Sequence, residues 1–254
     1  MASFLTIQNL SKNFGGFSAL SGVSFNLEGK EILGLVGPNG AGKTTLFNLI
    51  TGFLKPSQGK VFFQGRDITH LNSHEIARIG VIRTFQLNKI FLNLTVEENI
   101  RIGCYLHEKG GARRFLFGSS REENEDLDAK VKRIISLIGL EELKEKVAED
   151  LPYGDQKLLG IGISMGAEPA LLLLDEPFAG MNPVETGRCV SLLRRIVEQG
   201  TTLFLVDHNM RAVMGFCDRI VVLNFGKKIA EGKPAEIREN PEVIASYLGS
   251  IKVA

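Results

Sequence analysis

Over residues 4–10 and again over 22–28, apolar and polar positions alternate with the two-residue period of half-buried strands. Gly15-Gly16 and Glu28-Gly29-Lys30 mark the turns that separate them. Further on, the alternation gives way to unbroken apolar runs at Glu31-Ile-Leu-Gly-Leu-Val36, Ala170-Leu-Leu-Leu-Leu174, Thr201-Thr-Leu-Phe-Leu-Val206 and Arg219-Ile-Val-Val-Leu223. Such runs fit a parallel sheet covered on both faces. Lys60–Gln64 and Val81–Gln86 read as additional strands, with a short helix from Ser73 between them. From about residue 87 to 165 strand signals fade and charged helix formers dominate, with Val131, Ile134, Ile135 and Ile138 at helical spacing. Thr95 followed by Glu98 is a capping-box start for one of these helices. Residues 110–125, rich in glycine, serine and charge, read as an exposed loop. Pro241 after Asn240 opens a closing helix. The expected fold is a single α/β domain over 1–254, with a sheet core from 1–86 and 166–254 and a helical subdomain inserted at 87–165.

The joint between the strand at 31–36 and a helix from Thr44 carries the chemistry. Gly37-Pro38-Asn39-Gly40-Ala41-Gly42-Lys43-Thr44-Thr45 fits the phosphate-loop pattern, a glycine, four free positions, then Gly-Lys-Thr. Glycines let the backbone curl until successive N–H groups point at a nucleotide's phosphates. Lys43 adds a cation at the β- and γ-phosphates, and the Thr44 hydroxyl is a ligand for Mg²⁺. The helix that follows aims its N-terminal dipole at the same place. Asp175-Glu176 ends the leucine strand, at the sheet edge where doubly wound folds bind ligands. Asp175 is expected to hold Mg²⁺ through water and Glu176 to act as general base toward an attacking water. His208, after the 201–206 strand, can reach the γ-phosphate. Gln86, also at a strand end, can sense Mg²⁺ and the γ-phosphate together. Nothing in the spacing alone singles out Gln86 or His208.

Bulk properties narrow the partners. A chain of 254 residues with a net charge of +1 is long enough for a full core and offers no electrostatic case for nucleic acid. The three cysteines, Cys104, Cys189 and Cys217, are widely spaced and in no metal-like pattern, as in reduced structural positions. Met1–Ile7 lacks the basic and apolar blocks of a signal peptide, and no apolar run approaches the ~20 residues that span a bilayer. Action at a membrane is therefore expected to require docking on another protein.

Taken together and in order, Gly37–Thr45, Gln86, Leu151-Pro-Tyr-Gly-Asp-Gln156, Leu171–Glu176, Gly180-Met-Asn-Pro183 and His208 resemble the ATPase subunit of an ABC transporter, over essentially the whole chain. Gly80-Val-Ile-Arg-Thr-Phe-Gln86, the excursion after Asn99-Ile100, the core at 153–156 and Asn240–Gly249 are more narrowly similar to the branched-chain amino-acid importer ATPases. The resemblance implies a phosphate-loop NTPase (RecA-like) core with N-terminal antiparallel strands and an α-helical signature subdomain. It implies that Phe14 stacks on adenine, with Phe17 a less favoured substitute, and that Gln86 couples the Mg²⁺ site to the surface receiving a permease helix. Leu151, Pro152, Tyr153, Gly154, Asp155 and Gln156 would complete the ATP site of a second subunit, and Asn182 would lie on the loop crossing that interface. The implied assembly is two ATPase subunits, homo- or heterodimeric, on integral membrane permease subunits fed by a substrate-binding protein, at the cytoplasmic face of the membrane. Lipopolysaccharide-export ATPases, soluble ABC proteins acting on ribosomes or DNA, and a non-hydrolysing nucleotide-binding regulator are the alternatives.

The signature segment departs from the usual Leu-Ser-Gly-Gly-Gln. Pro152 supplies neither the serine hydroxyl nor a backbone N–H, and a lost hydrogen bond to a charged group is worth ~1.5–3 kcal/mol. Asp155 would bring negative charge near phosphate unless it points away. Slow hydrolysis and weak dimerisation of the isolated subunit are therefore expected. Asn182 replaces a common aspartate. Gly160, Gly162 and Gly166 fall in what should be a helix, where each costs up to ~1 kcal/mol relative to alanine.

Overall fold

The apolar runs become the interior of a six-stranded sheet in the order β10-β9-β3-β8-β7-β6. The computed structural model describes residues 3–84, 90–107 and 121–248. β3 (Ile32–Val36), β7 (Leu171–Asp175) and β8 (Thr202–Val206) run parallel at the centre, flanked by β6 (Val81–Arg83) and β9 (Arg219–Asn224). β10 (Lys227–Gly232) closes the edge antiparallel to β9. Successive residues point to opposite faces, so each central strand must be apolar throughout. Leu33, Leu35, Leu171, Leu173 and Phe204 face one core, and Leu172, Leu174, Leu203 and Leu205 face the other.

The first core lies under a four-stranded antiparallel sheet, ordered β2-β1-β4-β5. Its strands are β1 (Leu5–Phe14), β2 (Phe17–Leu27), β4 (Gln58–Phe63) and β5 (Arg66–Asp67). Here the alternating pattern is realised, longer than the sequence predicts because the hairpin continues to its tip at Gly15-Gly16. α1 (Lys43–Ile50) lies in the same core through Leu46, Phe47, Leu49 and Ile50. α2 (Ser73–Arg78) precedes β6 and is started by an Asn72–Glu75 capping box.

The second core is built with helices. α3 (Val96–His107), α4 (Arg121–Ile138) and α5 (Tyr153–Met165) pack on one another, and α4 and α5 also meet α6 (Pro183–Glu198). The Thr95–Glu98 box at the head of α3 forms as its spacing predicts, with Glu98 N–H donating to Thr95 Oγ1 at 3.2 Å and Thr95 N–H to Glu98 Oε2 at 2.8 Å. α7 (Met210–Phe216), α8 (Pro234–Glu239) and α9 (Pro241–Leu248) complete the chain. Asn240 caps α9, accepting from the N–H groups of Glu242 and Val243 at 2.9 and 3.1 Å. The exposed loop expected at 110–125 is corrected at its C-terminal end. α4 begins at Arg121, in a charged run whose glutamates and arginine are good helix formers by propensity. The rest of that excursion, to residue 120, lies outside the described residues, as does Gln86. All three cysteines are buried.

Gly162 in α5 and Gly166 at its C-cap find their explanation in this packing. A Cβ on Gly166 would stand 2.5 Å from the carbonyl carbon of Gly103 on α3, and one on Gly162 would stand 2.8 Å from Ile100 Cδ1. α3 and α5 thus touch nearly backbone to backbone. Gly160 has no such neighbour.

Candidate functional site

Strand order assembles the site. β3, β8 and β7 are adjacent, and their registers place Leu35 beside Val206 and Val206 beside Asp175. The three C-terminal tips end at one level. They deliver Gly37–Thr45, Asp207-His208 and Asp175-Glu176 to a common edge, although these lie up to about 170 residues apart in sequence.

The phosphate loop needs its glycines for space as well as conformation. A Cβ on Gly37 would fall 2.1 Å from the Leu223 carbonyl oxygen, and Gly42, at φ 101°, would meet the Ala19 carbonyl at 2.7 Å. Gly42 is also the N-cap of α1, so no side chain caps the helix and no carboxylate sits in its first turn. Its leading N–H groups therefore face the loop's hollow, as an anion site requires. The buried Lys43 ammonium donates to the Gly37 and Pro38 carbonyls at 2.7 and 2.9 Å, curling over its own loop. Burial pushes its pKa down, while the carboxylates of Glu176 and Asp175 oppose that shift. Pro38, Asn39, Gly40, Ala41 and Thr45 complete the loop, and Thr44 stands exposed at its helix end.

Glu176 Oε1 lies 3.1 Å from His208 Nε2. Glu176 holds a left-handed backbone, φ 52°, and its N–H donates to the Val206 carbonyl at 2.7 Å. This conformation turns the residue out of the β7 direction. Asp175 pairs with Arg83 Nη2 at 2.5 Å, and the other guanidinium nitrogen, Nη1, donates to Asn48 Oδ1 of α1 at 2.6 Å. Phe14, at the end of β1, is half exposed, with the Lys12 ammonium 5.1 Å from its ring centroid. Phe17 is more exposed still.

The segment 151–156 lies at the start of α5, beside the loop that follows β7. Pro152 is the N-cap, its carbonyl accepting from Gln156 N–H at 3.0 Å, without a side-chain cap. Leu151 is buried, while Tyr153 is exposed with its hydroxyl donating to the Ala179 carbonyl at 3.3 Å. A Cβ on Gly154 would stand 2.8 Å from Glu185. Asp155 is buried and pairs with Arg188 at 2.9 Å, pointing into its own subunit. Gln156 donates to the Ala148 and Leu151 carbonyls. Asn182 caps α6, accepting from Val184 and Glu185 N–H at 2.9 and 3.0 Å.

Three supporting residues escape the sequence reading. Arg83 is a cation in an otherwise apolar strand, the one local sign of its role. Asp207 is buried, its carboxylate accepting from Phe178 N–H at 2.8 Å and Asn209 N–H at 2.7 Å, which ties the loops after β7 and β8 together. Lys157 donates to the Glu176 carbonyl at 3.0 Å. Burial pushes its pKa down, opposed by Asp207 and Glu176. The Tyr247 hydroxyl of α9 donates to Met210 Sδ at 3.7 Å, and burial pushes its pKa up, opposed by the Gly37 N–H.

A cavity of about 630 Å³ opens between the sheet edge and the helices, lined among others by Phe53, Arg83, Phe91, Lys157 and Asp175. Among the described residues no helix is long and apolar enough to cross a membrane.

The sequence profile of the ABC transporter family matches residues 20–179, and that of the branched-chain amino acid ATP-binding cassette transporters matches 227–251. The high-affinity branched-chain amino acid transport ATP-binding protein LivG of Salmonella typhimurium is 42% identical over 96% of this chain and 97% of its own. The corresponding BraF of Pseudomonas aeruginosa is 39% identical over the same shares. A nucleotide-free ATP-binding cassette from an ABC transporter superposes with a TM-score of 0.85 at 31% identity, covering 97% of this chain and 99% of the other. The ADP conformation of an ATP-binding cassette of an ABC transporter gives 0.84 at 30% identity, covering 98% and 100%.

Proposed function

Since the chain belongs to the ABC transporter family, we propose that it is the ATP-hydrolysing subunit of an importer for branched-chain or related amino acids. The observation that carries this reading is the convergence of Lys43, Asp175, Glu176 and His208 on one sheet edge. The profile match at 227–251 favours import of this substrate class over lipopolysaccharide export.

In the proposed mechanism Phe14 stacks on adenine, and the N–H groups of Gly37–Thr45 with the Lys43 ammonium hold the β- and γ-phosphates. Glu176 takes a proton from the water that attacks the γ-phosphorus, as the bond to the β–γ bridging oxygen breaks and leaves ADP. His208, 3.1 Å from that carboxylate, orients it and reaches the γ-phosphate. The Thr44 hydroxyl and the Asp175 carboxylate are oxygen donors of the kind Mg²⁺ takes, one or two from protein and the rest from phosphates and water. Bound there, Mg²⁺ would neutralise charge on the β- and γ-phosphates. Gln86 is proposed as a further contact to it.

Residues 151–156 complete the ATP site of a second subunit, and Asn182 lies at the same interface. Without a hydroxyl at Pro152, dimer closure and turnover of the isolated subunit are slow. The amino acid crosses the membrane through permease subunits, delivered by a substrate-binding protein, with this chain on the cytoplasmic face. The test is Glu176→Gln in proteoliposomes carrying the co-purified permease. ATP turnover and labelled leucine uptake should both fall about 100-fold or more, the usual worth of a general base, while ATP still binds. Undiminished turnover or uptake would reject the reading.

A further inference from the structure

The loop that follows β7, from Glu176 to Asn182, is gripped from one side by the first two turns of α5. Lys157 Nζ donates to the Glu176 carbonyl at 3.0 Å, and the Tyr153 hydroxyl donates to the Ala179 carbonyl at 3.3 Å. The Tyr153 ring fills the space beside Gly180, where an added Cβ would stand 2.8 Å from Cε1. Tyr153 and Lys157 are one helical turn apart, and the ammonium lies 5.8 Å from the ring centroid. Next along, Gly154 packs on Glu185 and Asp155 pairs with Arg188. The whole start of α5 is thus seated on residues 176–188.

What this grip holds is an unusual backbone. Non-glycine residues seldom adopt positive φ, and Glu176 does so at the point where the chain leaves the sheet. Both of its backbone polar groups are engaged, the N–H by Val206 within the sheet and the carbonyl by Ala179 N–H at 3.3 Å within the loop and by the closer Lys157 from the helix. Placing a half-buried ammonium there costs desolvation that an apolar side chain at an ordinary helix–loop contact avoids. The carbonyl is the group that gains from it.

We propose that Lys157 is the positioning residue of the general base, holding Glu176 in the left-handed conformation that presents its carboxylate to His208 and the γ-phosphate. Tyr153 seats the same helical turn on Ala179 and Gly180. This rests on the ATPase reading above, and Lys157 acts through Glu176 rather than on nucleotide or water. Because α5 begins within residues 151–156, the base of one ATP site is held by the helix whose start completes the other.

The test compares the full chain with Glu176→Gln, Lys157→Met and Lys157→Arg, by steady-state turnover and by size-exclusion chromatography in Mg-ATP. Lys157→Met should lower kcat about tenfold or more, as expected for a lost charged hydrogen bond, with KM for ATP within about twofold. It should also accumulate an ATP-bound dimer, as Glu176→Gln does, and Lys157→Arg should restore turnover. A helix-packing role alone would lower the unfolding midpoint without trapping a dimer. Wild-type kcat in folded Lys157→Met, or a loss of kcat without trapping, overturns the proposal. If Lys157→Met does not fold, Tyr153→Phe substitutes for it: lower kcat with a trapped dimer supports the clamp, and unchanged kcat overturns it. If Glu176→Gln itself keeps turnover and traps nothing, the ATPase reading falls as well.

Discussion

Asp155 is buried, and its carboxylate faces Arg188 across 2.9 Å. The charge that would repel a phosphate is therefore directed into its own subunit and fastens α5 to α6. Arg188 is about half exposed, which screens the pair. Arg188→Met should accordingly lower stability by about 1–2 kcal/mol, mostly through the carboxylate left buried. A urea midpoint measures this, and ATP affinity should stay within twofold. A change in affinity with no change in midpoint would instead put Asp155 at the phosphates. At this scale, what could be read from the sequence is what local spacing encodes. Thr95 with Glu98 and Asn240 before Pro241 are contacts within three residues, and both form. Arg83 and Lys157 reach partners 92 and 19 residues away, so their roles exist only once the strand order and the seat of α5 are known.

Among the elements, the unbroken apolar strands were legible because burial on both faces leaves no polar position to obscure them. β10 was not: as an edge strand it is largely exposed and carries Lys227, Lys228 and Glu231. α5 poses the opposite problem, since Gly162 and its C-cap Gly166 argue against a helix by propensity and are required by packing. Two substitutions separate the terms. Gly166→Ala drives a methyl into the Gly103 backbone, which cannot yield, and should cost about 2–3 kcal/mol. Gly160→Ala meets nothing closer than Ile90 Cγ2 at 3.9 Å and should gain up to ~1 kcal/mol from the stiffer unfolded chain and better propensity. Equal shifts in chemical unfolding would contradict the close approach of α3 and α5.

In the molecule as a whole, the site and the cavity share a wall. Arg83, Lys157 and Asp175 line the 630 Å³ hollow, while Arg83 also pairs with the Asp175 carboxylate and Lys157 with the Glu176 backbone carbonyl at the ATP site. Phe53 and Phe91 stand exposed beside it, an apolar pair that suits a helix from a membrane subunit. The double variant Phe53→Asp, Phe91→Asp should abolish co-purification of the permease in detergent and leave the unfolding midpoint unchanged. Retained co-purification would move the docking surface elsewhere. The buried thiols have a practical consequence. Cys104, Cys189 and Cys217 are all shielded, and burial pushes Cys189 to about 12 and Cys217 upward as well, so the reactive thiolate is scarce. The folded chain should therefore react slowly with maleimides, so that one cysteine introduced at the exposed Val184 can carry a probe without removing any of its own.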